Sequence, residues 1–194
     1  MKVVAFNGSP RKNGNTAILI RYAFRELKNE GIDTELVQLA GKRVRGCTAC
    51  MKCFENRDRR CVIENDIANS CIEKMIAADG IILGSPVYFT DVTAEMKALI
   101  DRAGFVSMAN GGLFRRKVGA AAIALRRAGA MHTADTLLHF MLAGDMILTG
   151  FPGIGVGSAI GDVEQDREGV ERMMVIGKNM AWLLKVVEQA QRSG

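Results

Sequence analysis

Along the chain, segments of two hydrophobic patterns alternate. Lys2–Asn7 (KVVAFN), Gly80–Gly84 (GIILG), Val118–Leu125 (VGAAAIAL) and the short Met146–Thr149 (MILT) are apolar almost throughout. Short apolar runs bounded by turn residues predict strands buried on both faces. Asp33–Leu39 (DTELVQL) alternates apolar and polar residues and predicts an edge or second strand. Between these runs the apolar period is helical. It predicts helices over Asn15–Glu30 (closed by Gly31), Asp66–Ala78, from an N-cap at Thr93 to about Ala103, over His132–Ala143, and over Val163–Gln191. The glycine-rich Gly150–Asp162 (GFPGIGVGSAIGD) predicts a mobile surface loop.

Strands alternating with helices predict an α/β fold, a parallel sheet covered on both faces in a three-layer sandwich. Five strands suit the flavodoxin-like order 2-1-3-4-5, which places ligands at the carboxyl ends of the first and third strands. No internal repeat, low-complexity segment or linker interrupts the pattern, so a single domain over 1–194 is expected, with a cysteine-rich loop inserted at about 46–62.

Composition adds a compartment. Apolar residues make up 48% of the chain and charged ones 24%, as in globular proteins, and no apolar run approaches the ~20 residues that cross a bilayer. The N-terminus (MKVVAFNGSP) enters a strand directly, without the apolar stretch of a signal peptide, so a cytoplasmic protein without a membrane partner is expected. In that reducing compartment clustered cysteines point to metal or redox work rather than disulfides. Four of the five are clustered; the fifth, Cys71, falls on a helix and reads as a small core residue.

Charge is localised. The net charge is +5, and seven basic residues (Lys42, Arg43, Arg45, Lys52, Arg57, Arg59, Arg60) against Glu55 and Asp58 give the segment Lys42–Arg60 all of it. A basic patch raises the question of nucleic acid, but Phe54 is its only aromatic, so stacking platforms are lacking and no nucleic-acid partner is expected.

The loops after the strands carry the candidate chemistry. GSPRKNGNT, Gly8–Thr16, leaves the first strand and opens the first helix, where backbone N–H groups and a helix dipole favour a phosphate. Ser9, Asn13, Asn15 and Thr16 offer donors and Arg11 a matching charge, although an ordinary polar loop would look alike. It is not a P-loop, because five residues separate Gly8 from Gly14 and Asn15 replaces the lysine; G-x-G-x-x-G is absent too. After the third strand, Pro86, Val87, Tyr88 and Phe89 offer a wall for a planar ring, or else cap the core. After the fourth, Gly129 permits close backbone approach, and Arg126 or Arg127 either meets the ring's polar rim or stays solvated.

GSPRKNGNT and GSPVYFTDVTAEMKALIDR together resemble the two signature segments of the NAD(P)H-dependent FMN reductase family of flavodoxin-like proteins. The resemblance spans essentially the whole chain in element order. It implies that Ser9, Arg11, Asn13, Asn15 and Thr16 hold the FMN phosphate, and that Pro86, Val87, Tyr88, Phe89 and Thr90 line the isoalloxazine. The residues alone indicate a phosphate plus a ring; FMN comes from the resemblance.

Cys47, Cys50, Cys53 and Cys61 follow C-x2-C-x2-C-x7-C. Three thiolates so close suit three corners of a cubane, with Cys61 for the fourth iron; a structural zinc site more often pairs two distant C-x2-C units. The spacing departs from ferredoxin modules and is similar to that of the iron–sulfur flavoproteins, a branch of the same family. That likeness implies a [4Fe–4S] cluster on these four residues, with the x7 gap at the long end of the branch's range. The surrounding positive charge would offset the cluster's negative charge, or dock an acidic protein such as ferredoxin or flavodoxin. The branch also implies a homodimer or homotetramer.

The expected function is an FMN-dependent oxidoreductase passing electrons between a reduced donor, ferredoxin or NAD(P)H, and an acceptor, through the cluster. Two alternatives stay open: a cluster-free NAD(P)H-dependent FMN or quinone reductase, and a non-catalytic FMN- or zinc-binding redox sensor. No side chain is assigned as acid or base. His132 and His139, seven apart on one helical face, read as structural.

Overall fold

The computed structural model describes residues 1–192. The apolar runs form the centre of a parallel sheet: β1 (Lys2–Asn7), β3 (Gly80–Pro86) and β4 (Val118–Leu125) pair side by side, and every residue of β4 is buried. The alternating strand β2 (Asp33–Gln38) lies at the edge beside β1. Beyond β4 lie β5 (Ile147–Leu148), opposite Val118–Gly119, and β6 (Gly153–Val156), opposite Ala122–Leu125. The order is the expected flavodoxin-like 2-1-3-4-5, with the fifth position filled by one strand broken in two.

The glycine-rich segment is therefore not a mobile surface loop. It supplies β6 and runs into a 3-10 turn, Asp162–Gln165, whose Val163 is fully buried. A Cβ on Gly155 would lie 2.4 Å from Cγ2 of Val163 and 2.9 Å from Cδ2 of Leu19. Glycine is required here by close packing, and a composition that reads as a loop folds as strand.

The two faces of the sheet are covered by different helices. Val3 and Ala5 of β1 pack with Leu19, Ile20 and Leu27 of α1 (Asn15–Asn29) and with Met173, Ile176 and Met180 of α6 (Arg167–Arg192). Val4 and Phe6 point the other way, toward Met75 of α3 (Ala68–Ala77), Leu99 and Val106 of α4 (Ala94–Ala109), and Leu137 and Met141 of α5 (Ala130–Ala143). α4 runs six residues past Ala103 because Val106 and Ala109 still face the core. α6 begins at Arg167, since Val163 belongs to the preceding turn. A five-residue helix, α2 (Lys52–Asn56), forms inside the cysteine segment. Among the described residues no helix is long and apolar enough to cross a membrane.

Candidate functional site

A cleft opens at the carboxyl ends of β1, β3, β4 and β6, where the strand order reverses. Ser9, Arg11, Asn15, Thr16, Pro86, Val87, Tyr88 and Arg126 line it, so eight of the expected flavin residues meet at one place. Ala124, Leu125, Gly157 and Ser158 complete it. The last two were not anticipated, because they follow the strand hidden in the glycine-rich segment.

Local hydrogen bonds set the first wall. Asn7 donates to Gln38 at 2.7 Å and accepts from the Ser9 N–H at 3.0 Å, while Gln38 donates to the Ser9 carbonyl at 2.6 Å. The Ser9 hydroxyl accepts the Arg11 N–H at 3.2 Å. Arg11 reaches across the cleft to the Ser158 carbonyl at 3.1 Å. Asn15 lines the cleft, yet its amide is already engaged: Nδ2 donates to the Ala159 carbonyl and Oδ1 accepts the Gly161 N–H, both at 2.9 Å. It latches the segment after β6 onto α1. Asn13 does not line the cleft, and its Oδ1 accepts from Arg21 at 2.6 Å.

Thr16 is different. It is 1% exposed, and its Oγ1 is buried without a hydrogen-bond partner. It stands in the first turn of α1, which has no side-chain cap and no acidic residue. Unpaired N–H groups, a positive dipole end and an orphaned hydroxyl converge at a place that suits an anion. The site fits the phosphate of FMN.

The ring wall is braced by a turn. The Val87 N–H donates to the Ala124 carbonyl at 2.9 Å, and Tyr88 and Asp91 exchange backbone bonds of 2.8 and 3.1 Å. Phe89 and Thr90 at its tip have φ of 45° and 70°, a left-handed geometry that costs these residue types of order 1 kcal/mol each. Phe89 is wholly exposed, and neither residue lines the cleft. Gly129 also stands behind the wall: at φ 91° it caps α5, and a Cβ there would lie 2.8 Å from Thr90 Cα and Val87 Cγ1. His132 approaches Asp91 at 3.5 Å, whereas His139 lines a separate groove between α4 and α5.

The four clustered cysteines line one small cavity against α4, together with Arg102, Phe105 and Val106. Cys53 on α2 is placed by the edge-on contact of Phe54 with Phe105, with ring centroids 6.4 Å apart. Cys61 is held by Asn69 of α3, which accepts its N–H and donates to its carbonyl, each at 2.8 Å. Ala49 and Met51 have φ of 52° and 58°, and the residues between and beside them have negative φ. Alternation in the sign of φ is a requirement of the backbone nests that hold phosphates and iron–sulfur groups. The Ala49 N–H already donates to Cys47 Sγ at 3.4 Å. The Lys52 N–H and the Thr48 hydroxyl draw the Cys50 thiol below its ordinary pKa, while burial pushes Cys53 up.

Among the described residues no three His, Cys, Asp or Glu side chains converge on a single metal ion. A cubane spreads its four thiolates around a larger body, and four cysteines lining one cavity are a donor set that fits it. Cys71 is apart and buried, its thiol pushed up to about 11 by burial, as a core residue should be. The basic side chains at 42–60 do not line the cavity. Its one charged lining residue is Arg102, whose Nη1 donates to Asp66 at 2.5 Å in a fully buried pair. Sequence reading missed Arg102, although its place on the buried stripe Met96–Leu99–Arg102–Val106 marks it: an arginine at a core position needs buried partners.

Comparison with known proteins identifies the family and the fold. The family model for NADPH-dependent FMN reductase matches residues 1–158. An iron-sulfur flavoprotein of Methanocaldococcus jannaschii is 39% identical over 97% of this chain and 100% of its own length. One of Methanosarcina thermophila is 33% identical over 97% of this chain and 98% of its own. Among solved structures, RosB with a bound 8-demethyl-8-formylriboflavin-5'-phosphate shares the fold, with a TM-score of 0.80 and 17% identity over 97% of this chain and 81% of that one. The chain belongs to the NADPH-dependent FMN reductase family and is an FMN-dependent oxidoreductase.

Proposed function

We propose that the protein is an iron–sulfur flavoprotein, with FMN in the strand-end cleft and a [4Fe–4S] cluster on Cys47, Cys50, Cys53 and Cys61. In this reading it passes electrons between a reduced donor, ferredoxin or NAD(P)H, and an acceptor. The observation that carries the reading is the single cavity lined by all four cysteines. The relatives from Methanocaldococcus jannaschii and Methanosarcina thermophila, named iron-sulfur flavoproteins, support it.

The roles of the chain's own residues follow from their positions. Thr16 Oγ1 and the free N–H groups opening α1 take the FMN phosphate, and Arg11 at the rim adds charge. Pro86, Val87 and Tyr88 form one ring wall, Ala124, Leu125 and Arg126 the floor and edge, and Gly157 and Ser158 the far side. When bound, FMN supplies hydride or single-electron exchange, while the protein orients it. Cys47, Cys50, Cys53 and Cys61 would each ligate one iron, and the cluster when bound supplies one-electron exchange.

The test is an assay of iron, sulfide and flavin on anaerobically purified protein. About four irons and four sulfides per chain with one FMN are expected, and ferredoxin should reduce the sample. Flavin without iron after a reconstitution attempt would overturn the cluster and leave a reductase served by pyridine nucleotide alone.

A further inference from the structure

Arg102 is 1% exposed, and its guanidinium is held on one side only. Nη1 donates to Asp66 Oδ2 at 2.5 Å and to the Arg45 carbonyl at 3.2 Å; Nη2 donates to the Ile63 carbonyl at 2.7 Å. Those bonds tie both ends of the cysteine segment to α4, and a purely structural role would need no more. The third nitrogen, Nε, is buried and has no partner. A buried N–H without an acceptor costs about 1–3 kcal/mol, and nearly all such groups in folded proteins are satisfied. The planar guanidinium, fixed through its two Nη atoms, cannot turn Nε toward another acceptor. Arg102 also lines the cysteine cavity, where it is the only charged residue.

The charge of the pair matters as well. Asp66 accepts from Arg102, from the Arg45 N–H at 2.8 Å and from the Ala68 N–H at 3.0 Å, so the buried carboxylate balances the guanidinium. Arg102 thus brings to the cavity wall an unpaired N–H rather than a net charge.

We propose that the Nε–H of Arg102 donates to a sulfur of the cluster held by the four cysteines and sets its reduction potential, an inference that rests on the cluster reading above. A hydrogen bond to sulfur favours the more negative, reduced state, so Nε raises the potential.

Arg102→Lys keeps a cation against Asp66 but has no Nε–H. Asp66→Asn keeps Nε and removes the balancing charge. The experiment is a redox titration followed by electron paramagnetic resonance, on protein whose iron and sulfide have been counted. For Arg102→Lys the equilibrium constant for one-electron reduction should fall about tenfold, ~59 mV. For Asp66→Asn the potential should rise. A fully loaded Arg102→Lys protein with the wild-type potential overturns the inference, as does a fall in Asp66→Asn, which would mean that only the intact pair matters. Wild-type protein labelled with [15N]arginine gives an answer that does not depend on how the variants fold. Pulsed resonance of its reduced cluster should show a 15N coupling, and absence of the coupling overturns the inference. Wild-type protein that takes up no iron or sulfide on reconstitution overturns the cluster reading and this inference together, whereas failures in loaded protein overturn this inference alone.

Discussion

Asn69, a residue 4% exposed, holds Cys61 by both backbone groups: Oδ1 accepts the cysteine's N–H and Nδ2 donates to its carbonyl, each at 2.8 Å. Seven residues separate Cys61 from Cys53, so Asn69 supplies the fixity that a long gap lacks. Asn69→Ala should cost about 1–3 kcal/mol, through two lost bonds and the buried backbone groups left unpaired. Iron should also be lost faster to a mild chelator than from wild type. Denaturant melts and chelator-release rates check the two effects separately.

Thr16→Val should act in opposite directions on two measurements. Without FMN, replacing an unpartnered buried hydroxyl by a methyl leaves thermal stability unchanged or raised. With FMN, losing a bond to a charged phosphate, worth ~1.5–3 kcal/mol, should weaken binding roughly tenfold to hundredfold. Fluorescence titration against thermal melts of the flavin-free protein compares them.

Acid sensitivity follows from Asp66. Burial alone would push its carboxyl up, but the Arg102 guanidinium and the N–H groups of Arg45 and Ala68 outweigh this and hold it below the usual carboxylate range. Its contribution is complete above the unfolded pKa of ~3.9 and is lost as the pH falls through the lower folded value. Asp66→Asn strands a buried guanidinium and should cost about 3–5 kcal/mol at pH 7. The gap to wild type should narrow below about pH 4, in urea midpoints measured under reductant across that range.

Gly155→Ala should destabilise by about 1–3 kcal/mol, since its methyl has Val163 at 2.4 Å and Leu19 at 2.9 Å. Because β6 leads into Gly157 and Ser158, FMN affinity should fall with stability, as parallel denaturation and titration would show.

The runs that became β1, β3 and β4 were legible because strands buried on both faces need continuous apolar residues. β6 was not, because the same glycines that let α1 and the 162–165 turn approach it are what a surface loop also contains. At the cleft, position in the fold identified Ser9, Arg11 and Thr16. It could not reveal that Asn15 is occupied by Ala159 and Gly161, partners more than 140 residues away. Phe89 and Thr90 read as ring contacts but form the tip of a turn outside the cleft, because φ at two successive residues turns the chain outward. Arg102 came into view only once α4 was packed beside the cysteine segment.

The strand-end cleft and the cysteine cavity have no lining residue in common, and no strand contributes to the cavity. The cleft is made by strand ends and their loops; the cavity lies between the β2–α3 connection and α4, where Cys53 and Cys61 pack against the core. The two are thus built from separate sets of residues on one scaffold. Changes in the cysteine segment can therefore be made without altering any residue that lines the cleft.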